Sequence, residues 1–224
     1  MANRSTSGEC VYCGRIGPLT DDHVPPRSFF PDPPPPQLIT VPSCARCNRS
    51  FAIDDDYVRL VLTIDQRARG NRDRNMVLPR AVRSSQRRES RRTLTPLFDS
   101  LGWDYRLNDQ GVYVRAQRYT VEVGRLDRFA TRAIKALFYR EKGHRLADDH
   151  RVNAIHPSRW PTIQGDAREF LEWITAGLQT MPAKSWGTTF AYRWVQSPNG
   201  PSMTWWLLEL YGTPQYVCST SPRQ

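Results

Sequence analysis

Two Cys-x-x-Cys pairs constrain this chain more than any other feature: Cys10 with Cys13 and Cys44 with Cys47, with 30 residues between the pairs. Each pair forms a knuckle, and two knuckles present four thiolates, the donor set that Zn²⁺ takes in tetrahedral structural sites. Such a metal replaces the core that a short module cannot build. Four buried reduced cysteines packed as small apolar groups are the alternative, but they give no reason for two matched pairs. The fifth cysteine, Cys218, stands alone near the end of the chain. No apolar stretch of signal-peptide type opens the sequence, and no run reaches the ~20 apolar residues of a membrane span. A reducing cytoplasm is therefore the expected location, with no membrane partner, and in that compartment such pairs bind metal rather than form disulfides.

The net charge of +10 favours a polyanionic partner, because basic side chains release counterions from a phosphate backbone. The excess is concentrated. Residues 1–66 carry 6 basic and 8 acidic side chains, whereas residues 67–92 carry ten Arg, no Lys and two acids. The chain thus divides into a cysteine-framed module (1–66), an Arg-rich helical linker (67–92) and a remainder (93–224). Within the linker, Pro79 stands where a helix over 80–92 begins. Arg80, Arg83, Arg87 and Arg91 then follow at spacings of 3, 4 and 4, on one helical face. A solvated charged face is the ordinary outcome of such a run. An arginine-only set points instead to phosphate, whose oxygens the guanidinium fork matches in pairs.

Residues 1–9 read as a frayed start and the proline run at 31–36 as an exposed, semi-rigid loop. Apolar spacing predicts helices over 46–67, 126–141 and 167–179. Alternation predicts strands over 112–123, 188–195, 203–211 and 215–219. The last 132 residues read as an α+β domain that could receive a protein partner. Trp160, Trp173, Trp186, Trp194, Trp205 and Trp206 are expected mainly in cores, with base stacking as their other use.

Between the knuckles lies Asp21-Asp22-His23-Val24-Pro25-Pro26, and Asn48 follows the last cysteine. The sequence Cys10-x2-Cys13, then Asp22-His23-Val24-x-Pro26, then Cys44-x2-Cys47-Asn48 resembles the HNH endonucleases, in particular a bacterial, four-cysteine branch of them. The resemblance covers residues 10–60. It implies an α+β chain opening with a ββα-metal module, in which a hairpin and a helix hold a divalent cation, and a phosphodiester substrate, DNA before RNA. It implies three roles: His23 as general base, Asp22 and Asn48 as ligands of a catalytic Mg²⁺ or Mn²⁺. Arg49 takes the place of a lysine that many members carry. Many members also have an asparagine that orients the base; here Ile39 and Thr40 occupy that region, and the Thr40 hydroxyl or a backbone carbonyl is left to do it.

Each role has a structural counterpart: a hydrogen-bonded histidine, a turn-capping aspartate and a helix-capping asparagine. Asp54-Asp55-Asp56 is expected in the first turns of the helix, complementing its dipole. Asp148-Asp149-His150 repeats the Asp-Asp-His letters outside any cysteine frame, and His144, His150 and His156 are expected as ordinary surface residues. Two further functions fit the same features without catalysis by His23. One is a zinc module that docks on nucleic acid; the other is a subunit of a phage-defence or mobile-element assembly.

Overall fold

The computed structural model describes residues 7–108, 110–198 and 200–223, apart from the side chains of residues 88, 89, 214 and 215. Of the stretch expected to fray, residues 1–6 lie outside the described residues. The rest is strand β1 (Ser7–Glu9), which pairs antiparallel with β2 (Ile16–His23). β2 pairs antiparallel with β3 (Thr40–Cys44), and helix α1 (Ala45–Ile64) follows β3 directly with Cys44 as its N-cap. The proline run lies in the long β2–β3 connection, half-buried to exposed. Phe29 and Phe30 pin that connection inward; Phe29 stacks on Phe129 with ring centroids 5.4 Å apart.

The arginine-rich segment departs from expectation. It is two helices, α2 (Arg72–Ser85) and α3 (Arg88–Asp99), with Pro79 inside the first. Asn71 lies beyond the end of α1; its side chain accepts from the Arg74 N–H at 2.9 Å and caps α2. The break after Ser85 has a local cause. Ser84 and Ser85 turn their hydroxyls back onto the carbonyls of Ala81 and Val82, at 2.9 and 2.6 Å, competing with the helical ladder. Arg80 and Arg83 therefore sit on α2, Arg87 caps α3 and Arg91 lies within it, so the four do not share one helical stripe.

A two-stranded hairpin follows, β4 (Gly102–Leu107) with β5 (Tyr113–Arg118), then α4 (Val123–Lys142), β6 (His150–Ile155) and α5 (Asp166–Thr180). The chain closes with β7 (Lys184–Trp186), β8 (Phe190–Gln196), β9 (Thr204–Leu210) and β10 (Thr213–Pro222). β6, β10, β9, β8 and β7 form one antiparallel sheet in that order. Helices and antiparallel strands make this an α+β chain.

Both faces of the five-stranded sheet are covered, which explains the near-continuous apolar run Trp205-Trp206-Leu207-Leu208 in β9. Trp206, Leu208 and Leu210 join the main core with α4, while Leu207 packs with Leu171, Ile174 and Leu178 of α5. The main core runs without interruption from Cys10 through α1 and α4 to Cys218. The cysteine-framed strands are therefore braced on the rest of the chain. Among the described residues, no helix is long and apolar enough to cross a membrane.

Candidate functional site

The four cysteines meet. Their Sγ atoms all lie within 4.8 Å of one another, and Cys13 and Cys44 are 3.8 Å apart. A tetrahedron with Zn–S bonds of ~2.3 Å has S···S edges of ~3.8 Å, whereas a disulfide would be ~2.0 Å. All four are free thiols. The first knuckle is a turn between β1 and β2, in which Gly14 N–H donates to Cys10 O at 2.9 Å and Cys10 N–H donates to Arg15 O at 3.0 Å. Gly14 has φ +69°, and a Cβ there would come within 2.9 Å of the Arg145 guanidinium. The second knuckle is the N-terminus of α1. Burial opposes ionisation of Cys10, but the backbone amides of Cys44, Cys13 and Tyr12 outweigh it and bring the thiol to about 7. Burial and the neighbouring cysteines push Cys47 far up. Four sulfurs this close can all ionise only with a cation among them, and donor type and spacing fit a metal such as zinc.

Next to this cluster the strands and helix converge. Asp22 and His23 end β2 opposite Val41 and Thr40 of β3, and Asn48 lies in the first turn of α1. Alternation along β2 puts His23 and Asp21 on one face and Asp22 and Thr20 on the other. Thr40 is directly opposite His23, so their side chains share a face. Asn48 Nδ2 donates to Thr20 Oγ1 at 3.1 Å and to Asp21 O at 3.4 Å, which ties α1 to β2. His23 is half-buried and Arg49 exposed. Asp22 is buried, 7% exposed, and accepts a 2.5 Å hydrogen bond from Tyr12 Oη.

That buried carboxylate belongs to a network the sequence did not announce. Asp54-Asp55-Asp56 begins nine residues into α1, beyond its first turns, so dipole complementarity is not its role. Asp54 binds Arg125 and Arg128 of α4, at 2.7 and 2.6 Å, and Asp56 binds Arg59 at 2.7 Å. Asp55 takes a two-pronged bond from Arg132, at 2.6 and 2.9 Å. Arg132 is 4% exposed and lies over the rings of Phe51 and Phe129, at 4.5 and 5.6 Å.

The charge of one guanidinium acts on two carboxylates, on half-buried Asp55 through hydrogen bonds and on buried Asp22 through space. Burial opposes the charge on Arg132, but Asp55, Asp22 and Tyr12 hold it above its ordinary value. Burial outweighs that charge at both: it raises Asp55 to about 6 and Asp22 above the usual range, despite Arg132. Arg132→Met keeps the apolar stem and removes the charge both acids rely on. It is expected to lower unfolding stability by about 3 kcal/mol, read from urea denaturation; an unchanged midpoint would show that the network is not structural. A legible signal existed, since Arg132 interrupts the apolar face of the helix predicted over 126–141.

The predicted arginines separate. A cleft of about 560 Å³ gathers Arg27, Arg59, Arg80, Arg83 and Arg87 against Asp32 and Asp56. Arg80 is committed within it, donating to Asp32 at 2.5 Å, Phe30 O at 2.5 Å and Ser28 O at 3.1 Å, and so clamps the β2–β3 connection. Arg91 lines a different cleft, with Phe98 and Asp99. Arg27 and Arg59, which the charge pattern did not single out, replace it.

Among the described residues, the four cysteines are the one group of three or more His, Cys, Asp or Glu placed to share a metal. His144, His150 and His156 do not gather. The ring of His150 is held on both sides, by Asp149 at 2.6 Å and Ser202 at 2.7 Å, and His156 is buried beside Tyr216. No family model, curated protein or solved structure matches this chain.

Proposed function

We propose that this chain is a metal-dependent endonuclease of the HNH type, with β2, β3 and α1 as its ββα-metal module and phosphodiester bonds, DNA before RNA, as its substrate. The observation that carries this is the convergence at one strand–helix junction. Asp22 and His23 end β2, Asn48 is hydrogen-bonded to that strand, and the four-cysteine cluster frames both. Such a cluster fixes the angle between hairpin and helix without an extended local core.

In this function His23 accepts a proton from the attacking water, which an imidazole does near neutral pH. The oxygen of that water bonds to phosphorus as the bond to the leaving oxygen breaks. Asp22 and the Asn48 carbonyl would hold Mg²⁺ or Mn²⁺, hard cations that take oxygen donors and stabilise charge on the phosphate and leaving oxygen. Asn48 Oδ1 suits this role because the bonds to β2 use only its Nδ2. Arg49 and the cleft of Arg27, Arg83 and Arg87 supply cations for the backbone on either side.

One observation favours the non-catalytic alternative, a zinc module that docks on nucleic acid: the Asp22 carboxylate is already engaged by Tyr12. Calorimetric titration with Mn²⁺ separates the two. The nuclease binds a Mn²⁺ whose affinity falls at least about tenfold in Asn48→Ala and in Asp22→Asn. Equal titrations of wild type and both variants would favour docking.

A further inference from the structure

The β4–β5 hairpin carries large side chains where a hairpin normally carries charge. It pairs with no other strand among the described residues. Register puts Trp103, Tyr105 and Leu107 on the same face as Gln117, Arg115 and Tyr113. Trp103, Tyr105, Leu107 and Tyr113 are 59, 68, 57 and 70% exposed. Isolated two-stranded sheets are marginally stable, and an exposed apolar face on one marks a binding surface rather than a core.

The chemistry of the face names its occupant. The Arg115 guanidinium lies 4.2 Å from the centroid of the Trp103 ring. Alongside the hairpin a cleft of about 390 Å³ is lined by Arg69, Arg74, Arg106 and Arg115, with Trp103 and no carboxylate. Arg74 is 7% exposed, and its Nε finds no acceptor in the protein. Open rings beside a carboxylate-free arginine cleft suit a strand that offers flat bases and phosphates together. A duplex hides its base faces in its own stack.

We propose that the β4–β5 hairpin is a base-stacking platform for single-stranded nucleic acid. Trp103, Tyr105 and Tyr113 take unpaired bases, and the arginines of the adjoining cleft take the phosphates. The proposal rests on the nucleic-acid function above but not on catalysis. It names the substrate class, a nucleic acid with unpaired bases near the cut.

The test is fluorescence anisotropy with the full chain and no added divalent metal. The probes are a labelled oligothymidine of about 16 nucleotides and a mixed-sequence duplex of the same length. The triple variant Trp103→Ala, Tyr105→Ala, Tyr113→Ala is expected to bind oligothymidine at least about 100-fold more weakly, at about tenfold or more per ring. Its duplex affinity changes less than about threefold, since the arginines remain. Trp173→Ala, at a 68% exposed tryptophan on α5, leaves both affinities unchanged. Equal thermal melts establish that the variants fold, which the exposure of these side chains favours.

A triple variant that holds oligothymidine as well as wild type, in a chain that still binds duplex, overturns the platform alone. A wild type that binds neither probe overturns the platform and the nucleic-acid function together. Hairpin-dependent binding to anionic phospholipid vesicles without binding to oligothymidine overturns the platform in favour of a membrane surface.

Discussion

Cys13→Ser is expected to destabilise this protein by more than about 3 kcal/mol although the side chain it alters is exposed. A surface substitution normally stays within about 0.5 kcal/mol. Cys13 loses no packing on becoming serine, so any large effect must come through what its sulfur binds. Structural Zn²⁺ contributes ~10–16 kcal/mol of apparent binding energy in small modules, and that energy becomes folding energy. Here Cys10 is fully buried in the main core, and Cys44 caps α1. Loosening the cluster would release β1, the first turn of α1 and the Tyr12–Asp22 contact together. The purified chain is expected to contain one zinc by elemental analysis. Excess chelator should lower its melting temperature as far as Cys13→Ser does. A chelated, metal-free wild type that melts as high as the untreated chain would contradict the zinc assignment.

The second large effect concerns His23. General-base catalysis contributes roughly 10²–10⁴ in rate, so His23→Ala is expected to lose that much cleavage while keeping its affinity for DNA. The local structure makes the substitution informative. His23 is half-buried at a strand end, on the face opposite Asp22 and its buried partners, so removing the ring leaves the Tyr12–Asp22–Arg132 region in place. The four-cysteine cluster does not use it. A loss of activity with unchanged melting temperature therefore reports on chemistry rather than folding.

Much of this arrangement was legible in the residues because it is local. Two Cys-x-x-Cys pairs can converge only if the strands between them fold back, and Asn48, one residue after the last cysteine, is carried to the same place. The helix predicted over 126–141 is α4, Val123–Lys142, because Phe129, Ala133, Ile134 and Leu137 repeat at helical spacing toward one core. What was not legible depends on distant partners. Proline at 79 looked like a helix start, but Asn71, anchored to Thr188 O at 3.0 Å, had already begun one. Arg80 read as a phosphate contact, yet a loop nearly 50 residues earlier captures it. The burial of Asp22 depends on Tyr12 and on Arg132 of α4. β4 is not among the expected strands, although Trp103, Tyr105 and Leu107 alternate along it. An exposed hairpin gives alternation no core to explain, and Trp103 stands on it away from both hydrophobic cores.

The central claim is that the strand–helix junction beside the cysteine cluster cuts nucleic acid. The most direct measurement is relaxation of supercoiled plasmid by the zinc-loaded chain with Mg²⁺ or Mn²⁺, wild type beside His23→Ala at matched purity. Wild type is expected to nick or linearise the plasmid, and His23→Ala to leave it supercoiled while still retarding it in a gel. Equal cleavage by both would contradict the role of His23. Retardation without cleavage by either would contradict the nuclease and leave a zinc-framed docking module.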